Sequence, residues 1–254
     1  VITVNILIVG HGEIGSSIHK LYGDDYYYDV GYIDKDVAEN VSKSPDVMHI
    51  CIPYNEKFVT NVLHYIKTYT PSLTIIHSTI PYLTTRIIYD NAGTEIVHSP
   101  VMGKHPNLTK SIRTFKKIVA SYTDKAIEMA CAHFEELGVD TVVYNSPEES
   151  ELAKMLSTTY YGTLIRFMQE VHNLCVEFNL DFDKVYKQTN EIYNEGYTKF
   201  GDTQFVRPVL EYMGDEIGGH CVTANAEILH DRDMLERFAS IILGIDEADV
   251  TQDE

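Results

Sequence analysis

Three glycines, a lysine, a cysteine and a threonine are the residues through which this sequence could do chemistry. Gly10, Gly12 and Gly15 stand in the run Gly10-His11-Gly12-Glu13-Ile14-Gly15, directly after the apolar stretch Val4 to Val9. The first glycine permits a tight strand-to-helix turn, the second lets the backbone approach a pyrophosphate, and the third lets helix and strand pack closely. The amphipathic segment Ile14 to Tyr22 that follows would offer phosphates the free N–H groups and positive dipole end of a helix start. A second apolar run, Val30 to Ile33, ends at Asp34, about 20 residues beyond the glycines, where a carboxylate can accept hydrogen bonds from a ribose 2′-OH. A carboxylate there repels a 2′-phosphate, which favours NAD over NADP, and Lys35 beside it weakens that preference a little. Strand, glycines, helix, strand and acid in this order are a dinucleotide-binding fingerprint in its proper context. The plain alternative, a βαβ unit whose glycines only pack, requires neither all three glycines nor the acid. Glu13 and Ile14 at the helix start, Pro53 after a later strand, and Ser78 with Thr79 after another complete the expected cofactor-binding set.

Lys154 lies on the first turns of a long helical segment. A lysine held in a partly dry cleft can lose its proton and take one from a substrate hydroxyl; a solvent-facing helix lysine is the bland alternative. Cys221 follows Gly218, Gly219 and His220 and precedes a helical pattern. A helix N-terminus lowers a thiol's pKa, although an isolated cysteine is more often a small core residue. Thr79 could donate a hydrogen bond to a substrate or to a nicotinamide carboxamide, or simply cap the helix that follows it.

The elements that must position these residues alternate. Val47 to Ile52, Leu73 to His77, Glu95 to His98, Lys117 to Ala120 and Thr141 to Tyr144 read as strands. Glu56 to Tyr69 and Asp124 to Leu137 read as helices. Such alternation predicts a Rossmann-type, doubly wound parallel α/β sheet, here as a first domain over residues 1–145. Ser146-Pro147-Glu148-Glu149 is then a helix start with a capping box. Apolar residues at three- and four-residue spacing from Leu152 to Phe178 predict a helix of about 30 residues, some 45 Å long. Further helices are expected over Phe182 to Tyr197 and Ala226 to Leu243, giving a smaller all-helical substrate and dimerisation domain over 146–244. Residues 245–254 form an acidic tail.

With 254 residues, 44% hydrophobic and 23% charged, the composition is that of a soluble globular protein. A net charge of −18 argues against nucleic acid and against anionic membrane surfaces as partners. The basic island Lys104 to Lys117 is either an anion site or a solvated loop. Four cysteines without paired spacing suggest reduced core residues, no metal and a cytoplasmic setting. No apolar stretch approaches a bilayer span and no signal peptide is expected.

Together these segments resemble the UDP-glucose/GDP-mannose dehydrogenase family, the nucleotide-sugar 6-dehydrogenases. Glu151-Leu152-Ala153-Lys154 resembles its catalytic-lysine segment, Gln169-Glu170-Val171 through Cys175 the continuation of that helix, and Gly218-Gly219-His220-Cys221 its nucleophile loop. Ser78-Thr79-Ile80-Pro81 is similar to the loop with a catalytic threonine, and Arg207 falls where some members carry a sugar-contacting arginine reached from a neighbouring subunit. The resemblance implies NAD as cofactor, Lys154 as acid/base and Cys221 as the nucleophile that forms a thiohemiacetal and then a thioester. It also implies a sugar nucleotide or sugar derivative as substrate, a role in polysaccharide biosynthesis, and a homodimer. The family's C-terminal nucleotide-binding domain has no counterpart here, so the sequence reads as a truncated form. Thr158 stands where the family has an asparagine and Asn225 where it has an aspartate; both are retained as site candidates, Thr158 and residues 218–220 for substrate and Asn225 for catalysis. The Asn-Pro-Glu segment is replaced by Ser99-Pro100-Val101. Two other readings stay open: a one-step 3-hydroxyacid-type dehydrogenase, whose substrate loop Ser99-Pro100-Val101-Met102-Gly103 resembles, and a non-catalytic NAD-binding protein.

Overall fold

Continuous apolar runs such as Val4–Val9 (β1) can only be strands that are covered on both faces, and this dictates the first half of the molecule. The computed structural model describes residues 3–23, 27–103, 106–217, 220–230 and 234–245. Contacts divide the chain into two compact units, Val1–Met155 and Leu156–Glu254. Unit 1 carries a six-stranded sheet in the order β3-β2-β1-β4-β5-β6, made of β1, Tyr28–Asp34 (β2), Val37–Glu39 (β3), Val47–Ile50 (β4), Leu73–Ile76 (β5) and Glu95–His98 (β6). All pairings are parallel except that of β3, which runs antiparallel to β2 at the edge. Lys117–Val119 (β7) and Thr141–Val143 (β8) form a second parallel pair, tied to β6 by a bridge between His98 and Ala120.

The alternation of side chains along a strand sorts the core into two layers. Ile6, Ile8, Ile75 and Val97 cluster with Ile18 and Leu21 of Glu13–Tyr22 (α1) and with Phe134. Leu7, Val9, Met48 and Ile50 cluster with Phe58, Val62 and Ile66 of Phe58–Tyr69 (α2) and with Ile88 of Thr84–Ala92 (α3). Leu108–Thr114 (α4) adds Leu108 and Ile112 to the first layer, and Phe134 belongs to Asp124–Glu136 (α5). The basic island is thus neither a loop nor uniformly solvated: it contains α4 and ends at Lys117, which is buried in β7. Charge alone gave no sign of this, because the groups that accommodate Lys117 in the interior are distant in sequence.

Pro147–Glu177 (α6) forms as its sequence predicts. Glu149 N donates to Ser146 Oγ at 3.3 Å, and Asn145 N donates to Glu149 Oε2 at 3.0 Å. The strand pattern ends near residue 145, but unit 1 runs on to Met155 because it holds the first turns of α6 through Ser150 and Glu151.

Unit 2 is helical. The rest of α6 is followed by a π-helical turn, Asp183–Gln188, that runs into Thr189–Phe200 (α7), and by a 3₁₀ turn, Thr203–Phe205. The single helix expected from Ala226 to Leu243 is two, His220–His230 (α8) and Glu236–Leu243 (α9). Met234 N bonds back to Leu229 O at 2.9 Å and Leu235 takes a φ of +51°, which turns the chain where no glycine or proline announces it. One apolar cluster of the unit contains Ile217, Ala226 and Ile242, with Ile165, Val222 and Leu243 against it.

Candidate functional site

At the carboxyl ends of β1, β2, β4 and β5 the geometry meets the demands of a dinucleotide. Gly10 has a φ of +88°, and a Cβ on it would lie 2.9 Å from the Cys51 carbonyl carbon and oxygen. A Cβ on Gly15 would come within 1.8 Å of Gly10 O, so α1 can approach the turn only because this residue has no side chain. Gly12, by contrast, faces open space: a Cβ there would meet nothing within 4 Å, which leaves room for a phosphate to approach its backbone. Strand order reverses here, since β1 pairs with β2 on one side and β4 on the other, and such switch points form the ligand crevice of open α/β sheets. Glu13 and Ile14 open α1, Asp34 is half-buried at the end of β2, and Pro53 is exposed after β4. Ser78 is buried and its hydroxyl donates to Ile52 O at 2.5 Å, with Thr79 half-buried next to it.

Sequence reading missed His11, inside the glycine turn. Its ring stacks on Tyr32 with centroids 3.9 Å apart, and its Nε2 lies 2.9 Å from His19 Nδ1. Burial, then the His19 charge, hold His11 below the usual imidazole range. The Tyr32 hydroxyl donates to Glu39 Oε2 at 2.7 Å, which ties β2 to the edge strand.

Lys154 is half-buried, and the turn before it is fixed to unit 1 by two buried groups. The Glu151 carboxylate accepts from Leu83 N, Thr85 N and the Thr85 hydroxyl, each at 2.7 Å, and so serves as the cap of α3 from a distant segment. Burial pushes its pKa up to about 7 against the pull of these donors. His98 Nε2 faces Ser78 O at 3.2 Å and its Nδ1 faces the Ser150 hydroxyl at 2.8 Å. A carbonyl only accepts, so Nε2 carries the hydrogen and the Ser150 hydroxyl donates to Nδ1. Burial keeps His98 neutral, its pKa lowered to about 3. The segment of Ser78 and Thr79 and the first turns of α6 are therefore linked through β6. The charge of Lys154 is among the causes that lower both His98 and the buried Lys117. Glu151 stands out in the sequence only as part of a motif and Ser150 not at all, and their partners lie far away along the chain.

Unit 2 brings the two substituted family positions together. The Asn225 amide donates to Thr158 Oγ1 at 2.8 Å, joining α8 to α6. Arg166 donates to Ile242 O from Nε and Nη2, at 3.1 and 2.9 Å, and to Asp215 O at 3.0 Å, while Gln169 Nε2 donates to Gly214 O at 2.7 Å. These two α6 residues anchor the segment that leads to Gly218 and Gly219, which lie outside the described residues, as do the side chains of His220 and Cys221 at the start of α8. Arg207 is exposed and stacks its guanidinium 3.4 Å from the centre of the Tyr193 ring, with Asn194 bonded to its backbone N–H and C=O at 2.8 Å each. It borders an open cavity of about 470 Å³ lined by Tyr160, Phe167, Tyr186 and Phe205 among others. Cys51, Cys131 and Cys175 are free thiols, and burial pushes Cys51 up to about 12. Among the described residues no group of three or more His, Cys, Asp or Glu side chains could hold a metal ion, and no helix is long and apolar enough to cross a membrane.

A largely parallel sheet wound on both faces, the glycine turn at its switch point and a helical unit built on one long helix define a Rossmann-type architecture. Within it, residues 148–239 match the central domain of the UDP-glucose/GDP-mannose dehydrogenase family. The matched segment includes Lys154, Arg207 and Cys221, while the glycine turn and the Ser78–Pro81 segment lie outside it. No curated protein matches the sequence. Among solved structures, the UDP-D-ManNAc dehydrogenase of Pyrococcus horikoshii is similar at a TM-score of 0.74 and 16% identity, over 96% of this chain and 68% of that one. The UDP-N-acetyl-mannosamine dehydrogenase of Staphylococcus aureus gives 0.72 and 16%, over 96% and 68%. The 3-hydroxyisobutyrate dehydrogenase of Mycobacterium tuberculosis gives 0.68 and 15%, over 99% of this chain and 94% of that one. At such identities the likeness is one of fold.

Proposed function

We propose that the protein is an NAD-dependent oxidoreductase that oxidises an alcohol group of a nucleotide sugar or related sugar derivative. The observation that carries this reading is that unit 1 holds both the open glycine turn and the anchored α6 turn with Lys154. Gly10, Gly12, Glu13, Ile14 and Gly15 would hold the diphosphate, Asp34 a ribose, and Pro53, Ser78 and Thr79 the nicotinamide half. Bound there, NAD supplies the hydride acceptor. Lys154 takes the proton of the substrate hydroxyl, which needs a lysine whose charged form is disfavoured by its surroundings. Cys221 is the nucleophile of a second oxidation, with Gly218, Gly219 and His220 shaping its loop. Thr158, Asn225 and Arg207 contribute polar contacts to the substrate, Arg207 from a neighbouring subunit. A homodimer is part of the same reading. It is supported by large apolar side chains of unit 2 that stand exposed, among them Phe167 at 60% and Ile192 at 65%. A cytoplasmic place of action and a role in polysaccharide biosynthesis belong to the same proposal.

Calorimetric titration with NAD⁺ and with NADP⁺, then a screen of UDP-sugars for NADH formation, tests the proposal. Tight NAD⁺ binding with much weaker NADP⁺ binding is expected, and binding of neither would refute it. A second reading, one-step oxidation of a 3-hydroxyacid, is supported by the near-complete mutual coverage with the mycobacterial enzyme. Under it, the variant Cys221→Ser keeps near-normal turnover; under the first reading the variant stops after one hydride.

A further inference from the structure

The interior of unit 1 contains five polar groups in line, contributed by separate strands and helices around the sheet. His133 on α5 has its Nε2 2.9 Å from the Tyr22 hydroxyl at the end of α1. That hydroxyl is 2.6 Å from His49 Nε2 on β4, and His49 Nδ1 is 2.8 Å from His77 Nε2, just past β5. His77 Nδ1 lies 3.1 Å from Lys117 Nζ on β7. Lys117 Nζ also contacts Ser99 O at 2.5 Å and Pro100 O at 2.9 Å. All five side chains are buried, at 6% exposure or less.

Counting hydrogens leaves this chain two arrangements. A neutral imidazole carries one N–H and one acceptor nitrogen, and a phenol has a single O–H. Burial holds His49, His77 and His133 neutral, the last lowered to about 4. In the first arrangement Lys117 is an ammonium whose three N–H groups meet Ser99 O, Pro100 O and the bare Nδ1 of His77. His77 then donates from Nε2 to His49 Nδ1, His49 from Nε2 to the Tyr22 oxygen, and Tyr22 to His133 Nε2. In the second, His77 carries its hydrogen on Nδ1 and donates to Ser99 O, 2.9 Å away. An ammonium N–H would now point at an N–H, so Lys117 must be a neutral amine, and every bond along the chain is reversed. One arrangement becomes the other when each group passes one proton to the next: Lys117 gives one to His77, and one leaves from the His133 end.

We propose that His133, Tyr22, His49 and His77 form a proton relay that sets the charge of Lys117, and through Lys117 the hold on the Ser99–Pro100 segment. Lys117 is thus a positioning residue for the loop that follows β6. Its surroundings poise it for this. Burial and the Lys154 charge on α6 disfavour its cation and Cys51 after β4 favours it, leaving its pKa at about 7, while the Phe134 ring of α5 lies 5.7 Å from Nζ. His98 on β6 is neutral and adds no charge.

Long-range ¹H–¹⁵N correlation spectra of the full chain, labelled with ¹⁵N-histidine, test the relay directly because they report which ring nitrogen holds the hydrogen. Below pH 7, His49 and His77 should be protonated on Nε2 and His133 on Nδ1. As pH rises through about 7, all three should change to the other tautomer with one common midpoint. In Tyr22→Phe the link is cut, so His77 should still respond to pH while His133 no longer follows it. Tautomers that stay fixed between pH 6 and 9, or that change with separate midpoints, overturn the proposal. The wild-type titration decides the matter even if the variant does not fold.

Discussion

Units 1 and 2 place polar and apolar side chains in opposite ways. Unit 1 buries His49, His77, His98, His133, Lys117 and Glu151, all groups that can carry charge, and gives each a partner. Unit 2 packs apolar residues such as Ile217, Ala226 and Ile242 together and leaves Phe200 at 83% and Met213 at 88% exposure. Buried polar groups cost folding free energy unless they are satisfied, and here their bonds run between elements and hold the ends of the strands in place. Exposed apolar groups are a cost of a different kind, relieved when another surface covers them. Unit 1 is thus tied together from within by polar pairs, and unit 2 leaves large apolar side chains exposed.

The largest effects that could break this contrast lie in the core of unit 1. Phe134→Ala, at a fully buried ring, should cost about 3–5 kcal/mol in chemical denaturation. Phe200→Ser in unit 2 should change stability by less than about 0.5 kcal/mol. Equal losses would erase the distinction. Next comes Gly15→Val, whose Cβ would collide with Gly10 O. NAD⁺ affinity should drop roughly 100-fold or more, near 2.8 kcal/mol, and an unchanged calorimetric titration would disprove the role of the turn.

Glu151→Gln puts an amide N–H₂ among three donors, and should cost about 1–3 kcal/mol, measured by denaturation at pH 8, where the wild-type side chain is ionised. The pH profile is a subtler probe. The folded pKa values of His98 and His133 lie at about 3 and 4, below the unfolded value near 6.5. Their contribution is complete above about 6.5 and is lost as pH falls toward the folded values, by up to about 1.4 kcal/mol per pH unit for each group. Glu151 acts in the opposite sense: its folded value of about 7 makes stability fall as pH rises from about 4.3 to 7. With His49 and His77 shifted the same way as His98 and His133, the histidines dominate. Net stability should therefore fall between pH 6.5 and 5, and a level or rising profile there would show that these rings are not buried neutral. The smallest expected effect is on self-association. Phe167→Ser should weaken a dimer measured by light scattering while leaving the unfolding midpoint nearly unchanged.

What could be read early in the chain was read from local signals. Gly10, Gly12, Gly15 and Asp34 sit at spacings set by one turn, one helix and one strand, so the turn follows from the sequence alone, whereas the approach of Gly10 to Cys51 does not. The long helix was equally plain, because its cap and its apolar period are both local. The break between α8 and α9 escaped detection because Leu235 takes a left-handed backbone conformation that its side chain does not advertise.

The sequence by itself determined every strand but the short edge strand β3, the glycine turn, the acid at its tip and the helix that carries Lys154, since each depends on neighbours within a few turns of chain. Only the tertiary structure decided that Lys117, one charge in a basic run, is buried with His77 and the carbonyls of Ser99 and Pro100. It alone paired Thr158 with Asn225, and it alone made Glu151 the cap of a helix more than sixty residues earlier. The reason is physical. Burial and hydrogen-bond satisfaction are properties of groups brought together from distant positions, and no local pattern records them.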